Sequence, residues 1–311
     1  MKTYEKLYDY LSQQDDFCSG EKLAQQFQVS RTAIWKAIQT LESKGINIES
    51  IKNRGYKILS GDLLLPEEIG SKLGITVSLN EKSESTQIDA KLGIQKAYPA
   101  PHLYLATDQK KAKGRFGRDF YTSSQGGIYM SLHLSPNCPF DQVPPYTLMV
   151  ASSIVKAVSR LTGIETDIKW VNDIYLDGKK VAGILTEAIS SVETGLVTDI
   201  IIGVGINVNI TSFPEELQNK ATSLFKEQPS ISRNQLITEI WQLFFTIPEH
   251  DLVKVYKEKS LVLDKQVTFI ENDQIKSAFV EDITNKGHLI VSLPDGSKQT
   301  LKSGEISLSS W

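Results

Sequence analysis

The chain has 311 residues, with 34 lysines and arginines against 37 aspartates and glutamates, a net charge of −3, and 40% hydrophobic residues. This composition is typical of a globular protein, and the length indicates two or three domains because single cores stop growing near ~250–300 residues. The longest nearly apolar stretches, 146–158 and 200–208, are shorter than the ~20 residues that a membrane helix needs. No apolar segment of the secretory kind follows Met1, and Cys18 and Cys138 lack the spacing of a disulfide framework or a zinc site. We therefore expect a cytoplasmic protein with no membrane partner.

The first 60 residues predict a helix-turn-helix followed by a β-hairpin. Three segments carry apolar residues at helical spacing, and the second and third follow serines of the kind that cap helices. Two strand-like segments around an Asn-Arg-Gly turn come next. These elements are predicted over 4–11, 20–27 after Ser19, 31–44 after Ser30, 46–51 and 56–58. Helix, helix, recognition helix and hairpin wing is the order of a winged DNA-binding domain.

Charge supports the same interpretation. Residues 28–57 contain six basic and two acidic residues in a chain that is acidic overall. This pattern favours a local polyanion site, although a solvated helix face would carry the same charges. Trp35 on the third helix either faces DNA or belongs to the core. The predicted DNA-contacting residues are Ser19, Ser30, Arg31, Thr32, Trp35, Lys36, Lys52 and Arg54.

Beyond a linker predicted at 60–62 and a helix predicted over 63–73, apolar runs alternate with two clear helices. The strand candidates are 103–106, 128–134, 167–170, 174–176, 181–185 and 200–204, and the helices are 146–161 and 233–245. Many strands with few helices predict an α+β domain with helices on one face of a mixed sheet.

The last segment, from about Leu263, has a different pattern of short strands separated by turns. The strands are predicted over 266–270, 277–280 and 288–291, with turns at 271–273, 285–287 and 294–296. This pattern predicts a small β-barrel.

Three dense clusters between residues 113 and 209 are hard to explain by packing. They are Lys113-Gly-Arg-Phe-Gly-Arg118, Lys169-Trp-Val-Asn-Asp173 with Lys179-Lys180, and Gly203-Val-Gly-Ile-Asn207. Glycine weakens helices and strands, and like charges repel until an anion arrives. The first cluster therefore predicts a loop that orders around phosphate, with backbone amides beside cationic side chains.

The Lys179-Lys180 pair precedes an apolar strand, and adjacent strand residues point to opposite faces. One lysine is therefore expected to face a site and the other to face solvent, although a solvated turn gives the same sequence pattern. The four histidines fit no triad, and no serine lies in a nucleophile elbow. Catalysis is expected to depend on positioning and charge neutralisation.

At these motifs the chain resembles the biotin protein ligases, in the bifunctional form that also represses the biotin operon. The family's Gly-Arg-Gly-Arg-x-Gly-Arg-x-Trp loop is similar to residues 112–120, its Lys-Trp-Pro-Asn-Asp to 169–173, and its Lys-x-Ala-Gly-Ile-Leu to 180–185, while Gly-x-Gly-Ile-Asn is intact at 203–207. The departures from the family pattern are Gln87 for Asn, Ala112 and Lys113 for Gly-Arg, Phe120 for Trp, Val171 for Pro, and Ser309 where Arg is frequent.

The resemblance implies a two-step ligation. Biotin and MgATP give biotinyl-5′-AMP, and a lysine of a biotin carboxyl carrier domain then takes the biotin. Lys180 and Arg115 are the implied catalytic residues. The implied biotin and adenylate contacts are Ser85, Thr86, Gln87, Gln109, Lys113, Gly114, Arg115, Lys180 and Gly183, and the implied ATP and Mg²⁺ contacts are Arg118, Phe120 and Asn172. No permanently bound metal is implied.

The resemblance also implies a homodimer that forms with biotinyl-5′-AMP and binds a palindromic operator. Its domains are a winged helix-turn-helix over 1–61, a ligase domain over 62–262, and an SH3-like barrel over 263–311. Two alternatives remain at the sequence level, namely a transcription factor that senses biotin with an inactive ligase core, and a lipoate ligase. Lys180 with the Arg115 loop weighs against the first, and the winged helix with the Gly-Arg loop against the second.

Overall fold

The structure is a computed structural model and describes residues 1–271, 274–302, 304 and 306–308. The chain divides into two compact units, one of residues 1–69 with 232–234 and one of residues 70–231 with 235–311. No helix among the described residues is long and apolar enough to cross a membrane. The predicted domain boundaries at 61 and 262 stay predictions.

The first unit contains the helix-turn-helix. Its elements are α1 (Thr3–Leu11), α2 (Gly20–Gln26), α3 (Arg31–Ser43), β1 (Asn47–Ile51) and β2 (Gly55–Ser60). Both predicted caps form, because Ser19 Oγ accepts from the Lys22 amide and Ser30 Oγ accepts from the Ala33 amide. Strands β1 and β2 pair as an antiparallel hairpin. Side chains such as Leu7, Leu23, Ile34, Ile38 and Leu41 are fully buried and form the core of this unit.

The predicted helix over 63–73 begins later than expected. The observed helix is α4 (Pro66–Leu73), and residues 63–65 are irregular. The reason is steric, because proline disfavours helical backbone at the residue before it. Residues 63–65 are all buried, and the Leu65 amide donates to Asn234 Oδ1 at 2.9 Å. This stretch is therefore packed chain rather than an open linker.

A seven-stranded mixed sheet dominates the second unit, in the order β3-β4-β5-β9-β8-β7-β6. Strands β3 and β4 are parallel, and the other neighbours are antiparallel. The elements are β3 (Thr76–Asn80), α5 (Thr86–Gln95), β4 (His102–Ala106), β5 (Gly127–Leu134), α6 (Tyr146–Thr162), β6 (Asp167–Lys169), β7 (Asp173–Leu176), β8 (Lys179–Ser190) and β9 (Val197–Asn207). The prediction of a mixed sheet is confirmed, and β3 and α5 are additions to it.

Helices cover both faces of this sheet, so the expectation of helices on one face was wrong. Helix α5 packs Ala90 against Tyr104 and Ile201. On α6, Thr147 is hydrogen-bonded to Thr186, and Thr186 pairs with Ile202, the residue after Ile201 on β9. Successive strand residues point to opposite faces. Helix α5 and helix α6 therefore lie on opposite faces, and the α5 face carries the cleft described below.

Two helices and a second sheet complete the fold. The helices are α7 (Arg233–Thr246) and α8 (Glu249–Glu258), and the strands are β10 (Gln266–Glu271), β11 (Gln274–Ile283), β12 (Leu289–Ser292), β13 (Lys298–Leu301) and β14 (Ile306–Leu308). The strands form a five-stranded antiparallel sheet in the order β13-β12-β11-β10-β14. Three positions considered above lie outside the described residues, namely residues 272 and 273 of the predicted turn and Ser309.

Candidate active site

A cleft of about 430 Å³ opens on the α5 face of the large sheet. Its floor is mostly backbone, because glycines fill three of four paired positions on β8 and β9: Gly183 pairs with Gly205, and Gly203 pairs with Leu185. A cavity of this size suits a small-molecule ligand. Glycines in a central strand leave space for a group that approaches the sheet closely.

Side chains fill the space above this floor. A Cβ atom added to Gly203 would lie 2.9 Å from Gln87 Oε1, and one added to Gly205 would lie 2.5 Å from the Phe120 ring. These two glycines are two residues apart on β9, which is about 6.6–6.8 Å along a strand. The cleft therefore has a subsite beside Gln87 and a second one beside Phe120.

The first wall is the start of α5. Ser85 is the N-cap, and its hydroxyl accepts from the Gln87 amide at 3.3 Å. Gln109 Oε1 accepts from the Thr86 amide at 2.7 Å, and Ser131 Oγ donates to Thr86 Oγ1 at 2.8 Å. A strand-to-helix junction and the loop after β4 are thus joined by hydrogen bonds. Their polar atoms converge on the cleft beside Gly203.

The second wall is the basic loop at 112–120, which folds back on itself. The Gly114 amide donates to the Arg118 carbonyl at 2.8 Å, the Phe120 amide donates to the Ala112 carbonyl at 3.1 Å, and a short 3₁₀ turn spans Arg115–Gly117. Phe116 at its tip is 66% exposed and has a left-handed backbone, with φ of 56°. Its ring is exposed to solvent, and the Arg115 guanidinium lies 5.0 Å from the ring centroid.

Arg115 and Asn172 connect this loop to the sheet. Arg115 Nη1 donates to Asn172 Oδ1 at 3.2 Å, and Asn172 Nδ2 donates to the Ile184 carbonyl at 2.9 Å. Lys113 forms an ion pair with Asp119. The guanidinium of Arg115 and the ammonium groups of Lys113 and Lys180 line the cleft, which suits an anionic ligand.

Lys180 lies inside the cleft on β8, so the solvated-turn alternative is wrong for this lysine. Its Nζ is 2.7 Å from Asp173 Oδ1 and 5.9 Å from the Phe120 ring centroid. Its neighbour Lys179 donates from Nζ to the Gln218 carbonyl at 2.8 Å and is not part of the cleft lining. Burial, with a smaller effect of the Asp173 charge, raises the pKa of Tyr175 to about 12, so this cleft residue stays a neutral hydroxyl.

The structure brings all twelve predicted ligase residues to this one cleft. They are Ser85, Thr86, Gln87, Gln109, Lys113, Gly114, Arg115, Arg118, Phe120, Asn172, Lys180 and Gly183. The lining also includes residues to which sequence reasoning gave no role, namely Lys169, Trp170, Asp173, Tyr175, Ile184, Leu185, Val204, Gly304, Ile306 and Ser307. Asp173 was within a recognised motif, and only the β7–β8 pairing places it against Lys180. The peptide between Trp170 and Val171 is cis.

The predicted DNA-contacting residues are all exposed. They are Ser19, Ser30, Arg31, Thr32, Trp35, Lys36, Lys52 and Arg54. Trp35 is 53% exposed, which excludes the core alternative for this side chain. Arg31 pairs with Glu21 at 2.6 Å, and the Arg54 guanidinium lies 4.4 Å from the Phe17 ring centroid. The side chains of Ser19 and Ser30 are committed to helix caps.

Comparison with known families matches the chain in three places. A model described as "HTH domain" matches residues 4–57, one described as "Biotin/lipoate A/B protein ligase family" matches 80–207, and one described as "Biotin protein ligase C terminal domain" matches 262–309. The third model is described for biotin protein ligases alone, whereas the second covers lipoate ligases as well. The chain belongs to the biotin protein ligase family.

Relatives within the biotin protein ligases include proteins named "Bifunctional ligase/repressor BirA". That of Bacillus spizizenii is 38% identical over 217 residues, which is 67% of this chain and 66% of that protein. The Escherichia coli protein is 26% identical, with 95% of this chain and 94% of that protein aligned. A structure described as biotin protein ligase from Aquifex aeolicus in complex with biotin and ATP aligns with a TM-score of 0.62 and 25% identity, over 75% of this chain and 97% of that one.

Proposed function

We propose that this protein is an ATP-dependent biotin protein ligase that forms biotinyl-5′-AMP and transfers biotin to a lysine of a biotin carboxyl carrier domain. The observation that carries the proposal is the position of Lys180, whose ammonium enters the same cleft as the α5 wall and the 112–120 loop. A cation there is suited to a reaction between two anions. The names of the relatives agree with this activity.

In the first step, an oxygen of the biotin carboxylate attacks the α-phosphorus of ATP, and pyrophosphate leaves. Lys180 and Arg115 lower the repulsion between carboxylate and phosphate, while Ser85, Thr86 and Gln109 hold the biotin ring system. In the second step, the neutral amine of the carrier lysine attacks the acyl carbon of biotinyl-5′-AMP. The C–O bond to AMP breaks, and the amine loses a proton as the amide forms.

Nucleotide and metal are assigned to the Phe120 side of the cleft. Arg118 and Asn172 would contact the triphosphate, and Phe120 would pack against the base. Mg²⁺ would enter with ATP and neutralise phosphate charge. Such an ion would be held mainly by the phosphates and by water.

The N-terminal unit adds a second function, that of a transcriptional repressor in the cytoplasm with biotinyl-5′-AMP as corepressor. Helix α3 would enter the major groove, the β1–β2 hairpin would act as the wing, and a ligand-promoted homodimer would pair two such heads on an operator. The exposed row Arg31, Thr32, Trp35 and Lys36 supports this proposal. In the same way, we assign the five-stranded C-terminal sheet to an SH3-like barrel.

The decisive experiment compares wild type, Lys180→Ala and Lys179→Ala with biotin, MgATP and a carrier domain, and follows the mass of the carrier. Lys179 is the matched control because it is the adjacent lysine and lies outside the cleft lining. We expect transfer to fall by about 100-fold or more in Lys180→Ala and to stay near wild type in Lys179→Ala. A folded wild type that transfers no biotin would leave a biotin-sensing repressor, and adenylation of lipoic acid instead would indicate a lipoate ligase.

A further inference from the structure

We propose that an ion pair behind the cleft, Lys91–Glu187, fixes the orientation of the Gln87 amide and thereby restricts the site to acids whose ring end carries an N–H donor. The inference rests on the proposed function and specifies how the ring end of the substrate is selected. Lys91 is on α5 and Glu187 is on β8, and neither is part of the cleft lining. Both would act as positioning residues through Gln87.

The amide of Gln87 has one orientation in this environment. Its Nε2 donates to Glu187 Oε2 at 2.8 Å and to the Leu185 carbonyl at 3.4 Å. A carboxylate and a carbonyl accept hydrogen bonds and donate none. The reversed amide would set Oε1 against two acceptor oxygens, so Glu187 excludes it.

The fixed orientation leaves a hydrogen-bond acceptor without a partner at the cleft. Gln87 is 8% exposed, and its Oε1 is buried with no hydrogen-bond partner among the described residues. The atom occupies the space directly above Gly203, 2.9 Å from where a Cβ on that glycine would be, and both residues are part of the cleft lining. Buried acceptors without partners are rare because they lose their hydration and gain nothing in exchange.

An N–H group on the ligand would satisfy this acceptor. The ureido ring of biotin carries two such groups, whereas the dithiolane ring of lipoic acid has none. A site built to bond a ligand N–H discriminates strongly against an analogue that lacks it, because its own polar group is then left unpaired. The orientation of a single amide therefore separates the two classes of acid.

Lys91 holds the Glu187 carboxylate in position. Its Nζ is 2.9 Å from one carboxylate oxygen, and the other oxygen accepts from Gln87 Nε2. Gln87 and Lys91 are four residues apart on α5 and lie on the same side of the helix. The side chains of Lys91 and Glu187 are 44% and 35% exposed, and ion pairs this exposed add little stability. A positioning role accounts for the pair better than a stabilising one.

The test is Glu187→Gln, which keeps the shape of the side chain. The new amide can donate to Gln87 Oε1 when the Gln87 amide is reversed. We expect KM for biotin to rise roughly 10- to 100-fold, as for loss of a hydrogen bond to a buried group, with kcat changed by less than about threefold. Desthiobiotin keeps the ureido N–H groups and should show the same rise. Two further analogues carry a methyl group on one or the other ureido nitrogen of biotin. For at least one of them, KM in wild type should be far above that for biotin, and this difference should be smaller in Glu187→Gln.

Glu239→Gln is the matched control because it makes the same substitution at another partly buried ion pair of the same unit, 3.0 Å from Arg160. It should leave KM unchanged. Lys91→Arg should keep wild-type KM, while Lys91→Met should raise it by a smaller factor than Glu187→Gln. Calorimetric binding of biotin without ATP provides a readout that does not depend on turnover.

The two proposals fail in different ways. A folded wild type that forms no biotinyl adenylate would overturn the proposed function. A wild type that is active, combined with an unchanged KM in Glu187→Gln and undiminished rejection of the N-methylated analogue, would overturn the role of Glu187 alone.

Discussion

The ammonium of Lys180 lies 2.7 Å from a carboxylate oxygen of Asp173 on the adjacent strand. Both side chains are about one quarter to one third exposed, at 31% and 24%. The carboxylate therefore holds a flexible lysine in place before any anion arrives. Lysine side chains have many rotamers, so this restraint removes an entropic cost from substrate binding.

We expect Asp173→Asn to slow formation of the adenylate by about 10-fold, because Lys180 is no longer held, while affinity for ATP is kept or increased by the loss of a negative charge. Single-turnover release of pyrophosphate measures the rate, and equilibrium binding measures the affinity. Asp177→Asn, in the exposed turn before β8, is the control. An unchanged rate in Asp173→Asn would mean that Lys180 reaches its position without the carboxylate.

The two floor glycines of β9 should affect different substrates. Alanine at Gly203 would place a methyl group 2.9 Å from Gln87, and alanine at Gly205 would place one 2.5 Å from Phe120. We expect Gly203→Ala to raise KM for biotin and Gly205→Ala to raise KM for ATP, each by roughly 10-fold or more for displacement of one packed group. Each variant is the control for the other. An equal rise in KM for biotin and for ATP in both variants would indicate a general distortion of the sheet.

A buried histidine makes the second unit sensitive to acid. His102 is 3% exposed, its ring is stacked on Tyr104 with centroids 4.2 Å apart, and Ser78 Oγ is 2.8 Å from its Nε2. Burial, with a smaller contribution from the charge of His133, lowers the pKa of His102 below its ordinary value near 6.5. Between the folded and unfolded pKa values the unfolded chain binds more protons, so stability rises with pH in that window.

The prediction is that the melting temperature falls as pH drops below about 6.5, and that His102→Phe, which keeps a stacking ring, reduces this fall. Thermal unfolding at pH 7.5 and pH 5.5 gives the comparison. His250→Gln serves as control because the side chain of His250 is 80% exposed. Equal acid sensitivity in wild type and His102→Phe would assign the effect to another group.

For the DNA-binding head, salt dependence is the informative quantity. Each lysine or arginine that neutralises a phosphate contributes about 0.9 to the slope of log K against log salt. We expect Arg31→Ala and Lys36→Ala each to reduce that slope by about one on a generic duplex, and Lys6→Ala, on α1, to leave it unchanged. Fluorescence anisotropy over a salt series is the measurement. Slopes that match wild type in both α3 variants would exclude this face of α3 as the DNA contact.

Local signals in the sequence predicted the helix-turn-helix and the basic loop, whereas the grouping of Ser85 and Gln109 with that loop was implied by the family resemblance. Serine caps and apolar spacing mark α2 and α3, and glycines next to cations mark the 112–120 loop. Helix α5 also follows a capping serine, Ser85, but its sequence is weakly amphipathic and contains Gly93, so it was not predicted. Strand β3 is a short edge strand with only intermediate burial.

Contacts between distant segments were also beyond prediction. Glu187 is 96 residues from Lys91 and 100 residues from Gln87, and no motif connects them. Only the packing of α5 on β8 and β9 brings these side chains together. Asp173 and Lys180 are close in sequence, but their ion pair forms across an irregular register between β7 and β8 that the sequence did not indicate.

The backbone floor at Gly183, Gly203 and Gly205 also bears on how this protein tolerates sequence change. Any substitution at these three glycines adds a side chain, and the added Cβ would collide with Gln87, Phe120 or Lys180. Altered substrate choice must therefore arise in the walls, where α5, the 112–120 loop and β8 contribute independent segments. Laboratory selection for new acids or new nucleotides should accumulate substitutions at those walls and leave the three glycines untouched.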